Sequence, residues 1–73
     1  MTIRELDVVK VLEDMPDKNL TAGMIGTVIH IFTKPNLAYE VEFCDDSGRT
    51  VEQRALWPDQ VELVWSSDRK WNS

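Results

Sequence analysis

Ala22-Gly23-Met24-Ile25-Gly26-Thr27-Val28-Ile29-His30-Ile31-Phe32 places two glycines three residues apart and runs at once into β-branched residues. Glycine takes φ > 0 without strain, so Gly23 suits a tight turn into a strand. Gly26 falls inside the strand pattern, which predicts a bulge, a sharp bend or a close backbone crossing. Val28, Ile29 and Ile31 pack well on a pleated surface and favour extended backbone. A strand apolar on both sides, with a glycine near its start, is what a small curled sheet requires. Such a strand bends and contributes to both halves of a barrel.

Working outward, residues 7–12 read as the first strand, with Val9 and Val11 on one side and Val8 and Lys10 on the other. Residues 13–21 form a polar loop that holds Asp14, Pro16, Asp17 and Asn19, with Met15 and Leu20 as its apolar anchors. It is longer than a hairpin needs, and long loops are where binding residues concentrate. Residues 33–37 are a turn in which Pro35 pre-sets φ and Asn36 tolerates the left-handed region. Tyr39, Val41 and Phe43 then alternate with Ala38, Glu40 and Glu42, the period of a half-buried strand. Residues 45–49 are a hairpin loop with Gly48 at its left-handed position, and residues 50–55 are the fourth strand. Residues 56–60 are too short for an α-helix, and Pro58 and Asp59 suit a single 3-10 turn with Trp57 packed under it. Residues 61–64 are a short fifth strand. The chain is therefore all-β: residues 1–64 form a small five-stranded SH3-like barrel with a long first loop and a 3-10 turn before the last strand. Residues 65–73 read as a flexible C-terminal tail carrying Trp65 and Trp71, dispensable for folding from Ser66 onward.

Seventy-three residues make one domain with a small core. Apolar residues at 42% and charged residues at 29% fit a folded globular chain. The net charge of −5 opposes nonspecific nucleic-acid binding, which needs Lys and Arg against phosphates, and opposes anionic membranes. It favours a neutral or basic protein partner. Cys44 is the one cysteine, so no intrachain disulfide forms, and a cytoplasmic location is expected. No apolar run approaches the ~20 residues of a membrane helix, and the N-terminus lacks a signal-peptide apolar region.

One succession of features has a counterpart in known families. A strand and a long acidic loop lead to Ala22-Gly23-x-x-Gly26-Thr27-Val28, then to Ala38-Tyr39-Glu40-Val41-Glu42-Phe43, then to Asp-x-x-Gly. This order resembles the small bacterial proteins of domain-of-unknown-function family 4926. The resemblance implies an SH3-like barrel with no assigned activity and an accessory or partner-binding role, and it supplies no catalytic residues. The Gly-x-x-Gly-x-Val pattern also resembles KOW-type segments of ribosomal and transcription proteins. Those are generally basic, whereas no Lys or Arg stands between Ala22 and Phe32 here.

Candidate chemistry is sparse. His30 is the one histidine and has neither a His-x-x-His nor a Cys-x-x-Cys companion, so a structural role on its strand is expected. Cys44 is followed by Asp45 and Asp46, whose charge suppresses a thiolate. Asp45-Asp46-Ser47-Gly48 has a superficial likeness to a calcium loop, yet Leu56 stands where the closing glutamate belongs. No cofactor, metal or catalytic constellation is read, and a barrel of this size has little room for a substrate cleft. The expected function is a non-catalytic binding or adaptor protein that docks a basic protein partner through an acidic surface. A KOW-like nucleic-acid module and an accessory subunit of a larger enzyme are the alternatives.

The acidic surface is expected on the third and fourth strands. Hairpin partners share a face, so paired numbers sum to an even value unless a bulge intervenes. Leaving 45–49 as the loop pairs Phe43 with Val51, Val41 with Gln53 and Tyr39 with Ala55. Val51 then joins the core, while Glu40 lies opposite Arg54 and Glu42 opposite Glu52. Glu40, Glu42, Glu52, Asp45 and Asp46 form the expected patch, with Asp14 and Asp17 of the long loop as further partner-binding residues.

Overall fold

Apolar and polar residues alternate along each short segment, so each forms a strand that buries one face. In the computed structural model, which describes residues 3–66, β1 is Val8–Val11, β2 Ile25–Phe32, β3 Ala38–Cys44, β4 Thr50–Leu56 and β5 Val61–Trp65. Pro-led 3-10 turns occupy Pro16–Lys18 in the long first loop and Pro58–Gln60 ahead of β5. All strand pairs are antiparallel, in the sheet order β4-β3-β2-β1-β5. Central β2 meets β1 through Ile25, Gly26 and Thr27 and meets β3 from Thr27 to Phe32. The described chain is thus all-β, and a central strand shared by two halves, with a 3-10 turn before the last strand, is compatible with an SH3-like barrel.

The core lies on the inner face of this bent sheet. Val9, Val11, Val28, Val41, Phe43 and Leu56 are fully buried, and Ile3, Met15, Leu20, Tyr39 and Val61 close around them. Met15 and Leu20 anchor the long loop as expected, and bridge to each other across the 3-10 turn. Gly23 takes φ 96°, the turn that its sequence context requires. Gly26 serves a different end. A Cβ built there would stand 2.6 Å from Val41 Cγ1 and 2.8 Å from the Phe43 ring. The two core side chains of β3 therefore lie against the bare backbone of β2, which is how a thin sheet folds onto itself.

Three register shifts bend the sheet, each from one extra β-branched residue. Ile29 is the extra residue in β2, between the pairs Val28 with Val41 and His30 with Glu40. Val51 is the extra residue in β4, between Cys44 with Thr50 and Phe43 with Glu52. Val64 is the extra residue in β5, between Val8 with Trp65 and Val9 with Leu63.

The bulge at Val51 overturns the expected register. Pairing begins as expected at Cys44 and Thr50, then slips by one, so Tyr39 meets Leu56, Val41 meets Arg54 and Phe43 meets Glu52. Every later β4 side chain changes face. Val51 is half exposed rather than in the core, Glu40 faces Ala55 rather than Arg54, and Glu42 faces Gln53 rather than Glu52. Trp57 is corrected as well: it is 52% exposed, and Leu56 beside it fills the core position. Trp65 belongs to β5 rather than to the tail, and the Ser66 hydroxyl donates to the buried Asp7, so Ser66 is tied to the domain. Trp71 and the rest of the expected tail lie outside the described residues. The left-handed asparagine is Asn19, which closes the first 3-10 turn, and not Asn36.

Gly26 gives the first test. Replacing it with Ala forces Val41 and Phe43 off their positions, and overpacking of this kind costs about 1–3 kcal/mol. Thermal unfolding of Gly26→Ala should show a midpoint lower by several degrees, with a larger loss for Gly26→Val. Parent-like stability of both variants would mean that the two side chains can withdraw freely.

Candidate binding face

The alternation of β3 that buries Tyr39, Val41 and Phe43 turns Glu40 and Glu42 to the outer face. Each carboxylate there meets a neutral donor. Glu40 Oε2 accepts from Gln53 Nε2 at 2.9 Å, and Glu42 Oε2 accepts from Thr50 Oγ1 at 2.7 Å. Across β2 the same face carries His30 opposite Glu40 and Thr27 opposite Glu42. His30 is exposed, 3.8 Å from Glu5 and edge-on to Phe32.

Glu52 does not join this face. The slip at Val51 turns Glu52 and Arg54 inward with Leu56, where their head groups form an ion pair. Asn19 Nδ2 donates to Glu52 Oε2 at 2.7 Å, and Arg54 Nε donates to the Lys18 carbonyl at 3.0 Å. Together these groups fasten the first 3-10 turn to β4. The other acidic candidates also divide. Asp14 Oδ1 accepts the Ala22 N–H at 2.9 Å and closes the base of the long loop. Asp17 is exposed in the first 3-10 turn, and Asp46 is exposed in the β3–β4 hairpin.

Asp45 organises that hairpin. Its Oδ1 accepts the Ser47 hydroxyl at 2.7 Å and the backbone N–H groups of Ser47 and Arg49, each at 3.0 Å. Gly48 beside it takes φ 87°, as its place in the loop requires. The Ser47 hydroxyl, followed by the Arg49 N–H, holds the Asp45 carboxyl below its ordinary value of 3.8. Cys44, which precedes Asp45, is exposed at the end of β3.

The arrangement brings together Glu40 and Glu42, with Asp45 and Asp46 at the hairpin end of the same strands. It separates Glu52, Asp14 and Asp17 from them. Sequence reasoning missed Thr50 and Gln53 as partners of the outer carboxylates, and Asn19 and Arg54 as the lock on the long loop. One signal was present: counting back from Leu56 in steps of two reaches Arg54 and Glu52 on the core side. Among the described residues no three His, Cys, Asp or Glu side chains are grouped so as to hold a metal, and no pocket is found. No helix among them is long and apolar enough to cross a membrane.

Residues 5–63 match the family described as Domain of unknown function (DUF4926), and the chain belongs to that family. No curated protein and no solved structure is a match.

Two variants separate the inner acid from the outer one. Glu52→Ala removes the lock on the long loop and should cost about 1 kcal/mol in denaturant unfolding. Glu42→Gln, on the solvated face, should stay within ~0.5 kcal/mol of the parent. The reverse order would place Glu52 outside and Glu42 in the lock. Asp45 adds a pH test. A carboxyl lowered by folding stabilises the folded state above its ordinary value and stops doing so as pH falls through the lowered one. Asp45→Ala should therefore be less stable than the parent at neutral pH, with the gap closing below pH 3.8. A gap independent of pH would mean that the loop does not depend on the charge.

Proposed function

We propose that this domain is a non-catalytic binding module that docks a basic segment of a protein partner on the outer face of β3 and β4. One observation carries the reading: Glu40 and Glu42 share that face, and their hydrogen bonds come from neutral Gln53 and Thr50 while Arg54 is turned inward. An ionised carboxylate accepts up to about four hydrogen bonds, so each retains acceptor capacity for a guanidinium or ammonium group. Charge-assisted bonds to Arg or Lys are roughly twice as strong as neutral ones. Asp46 adds negative charge at the hairpin, where Asp45 is already paired with Arg49 at 3.6 Å, and the net charge of −5 steers a cation toward the domain. Exposed Ala55, opposite Glu40, offers apolar contact beside the carboxylates. A cytoplasmic setting belongs to the same reading and draws support from the single, exposed Cys44.

The test is titration of a Lys/Arg-rich peptide against the parent and against Glu40→Gln/Glu42→Gln at low salt. The double variant should keep its fold and lose about tenfold in affinity, and added salt should weaken the parent. Equal affinities would remove this face as the docking site and point to the loop bearing Asp14 and Asp17. Salt-sensitive retention of single-stranded RNA would favour a nucleic-acid module instead. Co-purification with a catalytic chain would favour an accessory subunit.

A further inference from the structure

Asp7 has no exposed surface, although the domain is small and acidic. A buried carboxylate persists only where its oxygens are served. Oδ2 accepts the Arg4 backbone N–H at 2.8 Å, and Oδ1 accepts the Ser66 hydroxyl at 3.1 Å. The same side chain thus holds the turn that leads into β1 and the residue that follows β5. Its backbone is equally engaged. The Asp7 N–H donates to the Arg4 carbonyl at 3.1 Å, and the Asp7 carbonyl accepts the Val28 N–H at 2.9 Å. Leu6 N–H donates to the Val28 carbonyl at 2.7 Å. Leu6 has φ 73° and is 62% exposed, a backbone state that a leucine keeps only where its neighbours hold it. Val28 is the last residue of β2 before the bulge at Ile29.

We propose that Asp7 is a clasp that couples the end of β5 to the bulge of β2. The Ser66 hydroxyl serves a carboxylate that is shut off from solvent. When that hydroxyl is withdrawn, the turn through Arg4 and Asp7 loses one of its supports. The left-handed Leu6 then relaxes, and the two bonds to Val28 open together. Anything that draws Ser66 away from the sheet therefore acts on β2 at its bend. Glu42 and Glu40 pair with β2 on either side of that bend, through Thr27 and His30.

Amide hydrogen exchange on the full chain tests the clasp, with Ser66→Ala, Ser66→Thr and the parent compared. In Ser66→Ala the Leu6 and Val28 amides should exchange about tenfold faster, the scale of one hydrogen bond to a charged group. The Val41 and Phe43 amides of β3 should hold their parent rates. Ser66→Thr keeps the hydroxyl and should restore slow exchange at Leu6 and Val28. In an Asp7→Asn background the Ser66→Ala change should accelerate these amides less than it does in the parent, because two side chains in contact couple. Unchanged exchange at Leu6 and Val28 in Ser66→Ala would overturn the clasp. So would equal acceleration at Val41 and Phe43, which reports loss of global stability rather than coupling. If Asp7→Asn does not fold, the Ser66 pair still decides. Loss of peptide binding in Glu40→Gln/Glu42→Gln leaves these rates untouched, so the two readings fail separately.

Discussion

The contact between Gly26 and the side chains of Val41 and Phe43 is the constraint on which the rest of the structure depends. A sheet of five short strands has no second layer to pack against, so it must bury its own inner face. It does so by bringing β3 side chains down onto β2 backbone, at the point where β2 passes from its pairing with β1 to its pairing with β3. Any side chain at Gly26 occupies the volume that Val41 and Phe43 already fill. Core volume in a domain this small is limited, and every fully buried apolar residue touches this junction or the strands that meet there.

Curvature comes from the three extra residues Ile29, Val51 and Val64. A bulge adds local twist and breaks the strict alternation of faces. These bulges explain what the sequence shows and what it hides. The elements were legible because Val9 and Val11, Tyr39, Val41 and Phe43 keep a clean period of two, and because Gly23, Gly48 and Pro58 mark turns in the positions that their backbone freedom allows. The candidate face was half legible. Glu40 and Glu42 follow from the period of β3 alone. Glu52 and Arg54 do not, because a β-branched residue that is bulged and one that is paired look alike in sequence. Val51 has the composition of a core residue, and only the Phe43–Glu52 pairing shows that it is the extra one. Trp57 misled for a similar reason: its size suggests burial, yet the adjacent Leu56 sits at the end of the regular alternation and takes the place. Asp7 carried no signal, since a buried carboxylate is distinguished from an exposed one by partners distant in the chain, here Ser66.

Charge is handled differently on the two faces. Inward, Glu52 and Arg54 satisfy each other, Glu52 also accepts from Asn19, and Arg54 also donates to the Lys18 and Gln53 carbonyls. That matches what partial burial demands, because a half-desolvated charge without a partner is costly. Outward, Glu40 and Glu42 need no counter-ion, since water solvates them, and Gln53 and Thr50 serve only to orient them. The bulge at Val51 is the physical reason for the division. Without it Arg54 would stand beside Glu40 and neutralise the outer face, and the long loop would have no ion pair on β4 to hold it.

The edges of the sheet narrow the ways in which such a domain can meet a partner. β4 and β5 are the outermost strands, and each carries a bulge on its own chain. β4 also points Glu52 and Arg54 inward, and Pro58, which has no N–H to donate, follows it closely. These are the devices by which proteins keep an edge from templating another strand. Recognition by strand addition needs a long, regular edge with free backbone groups, and among the described residues neither edge supplies one. A basic partner of the kind proposed therefore meets side chains on a sheet face rather than backbone at an edge. Under that proposal specificity rests on the orientation of Glu40 and Glu42, which Gln53 and Thr50 hold and which the register of β3 on β2 and β4 determines.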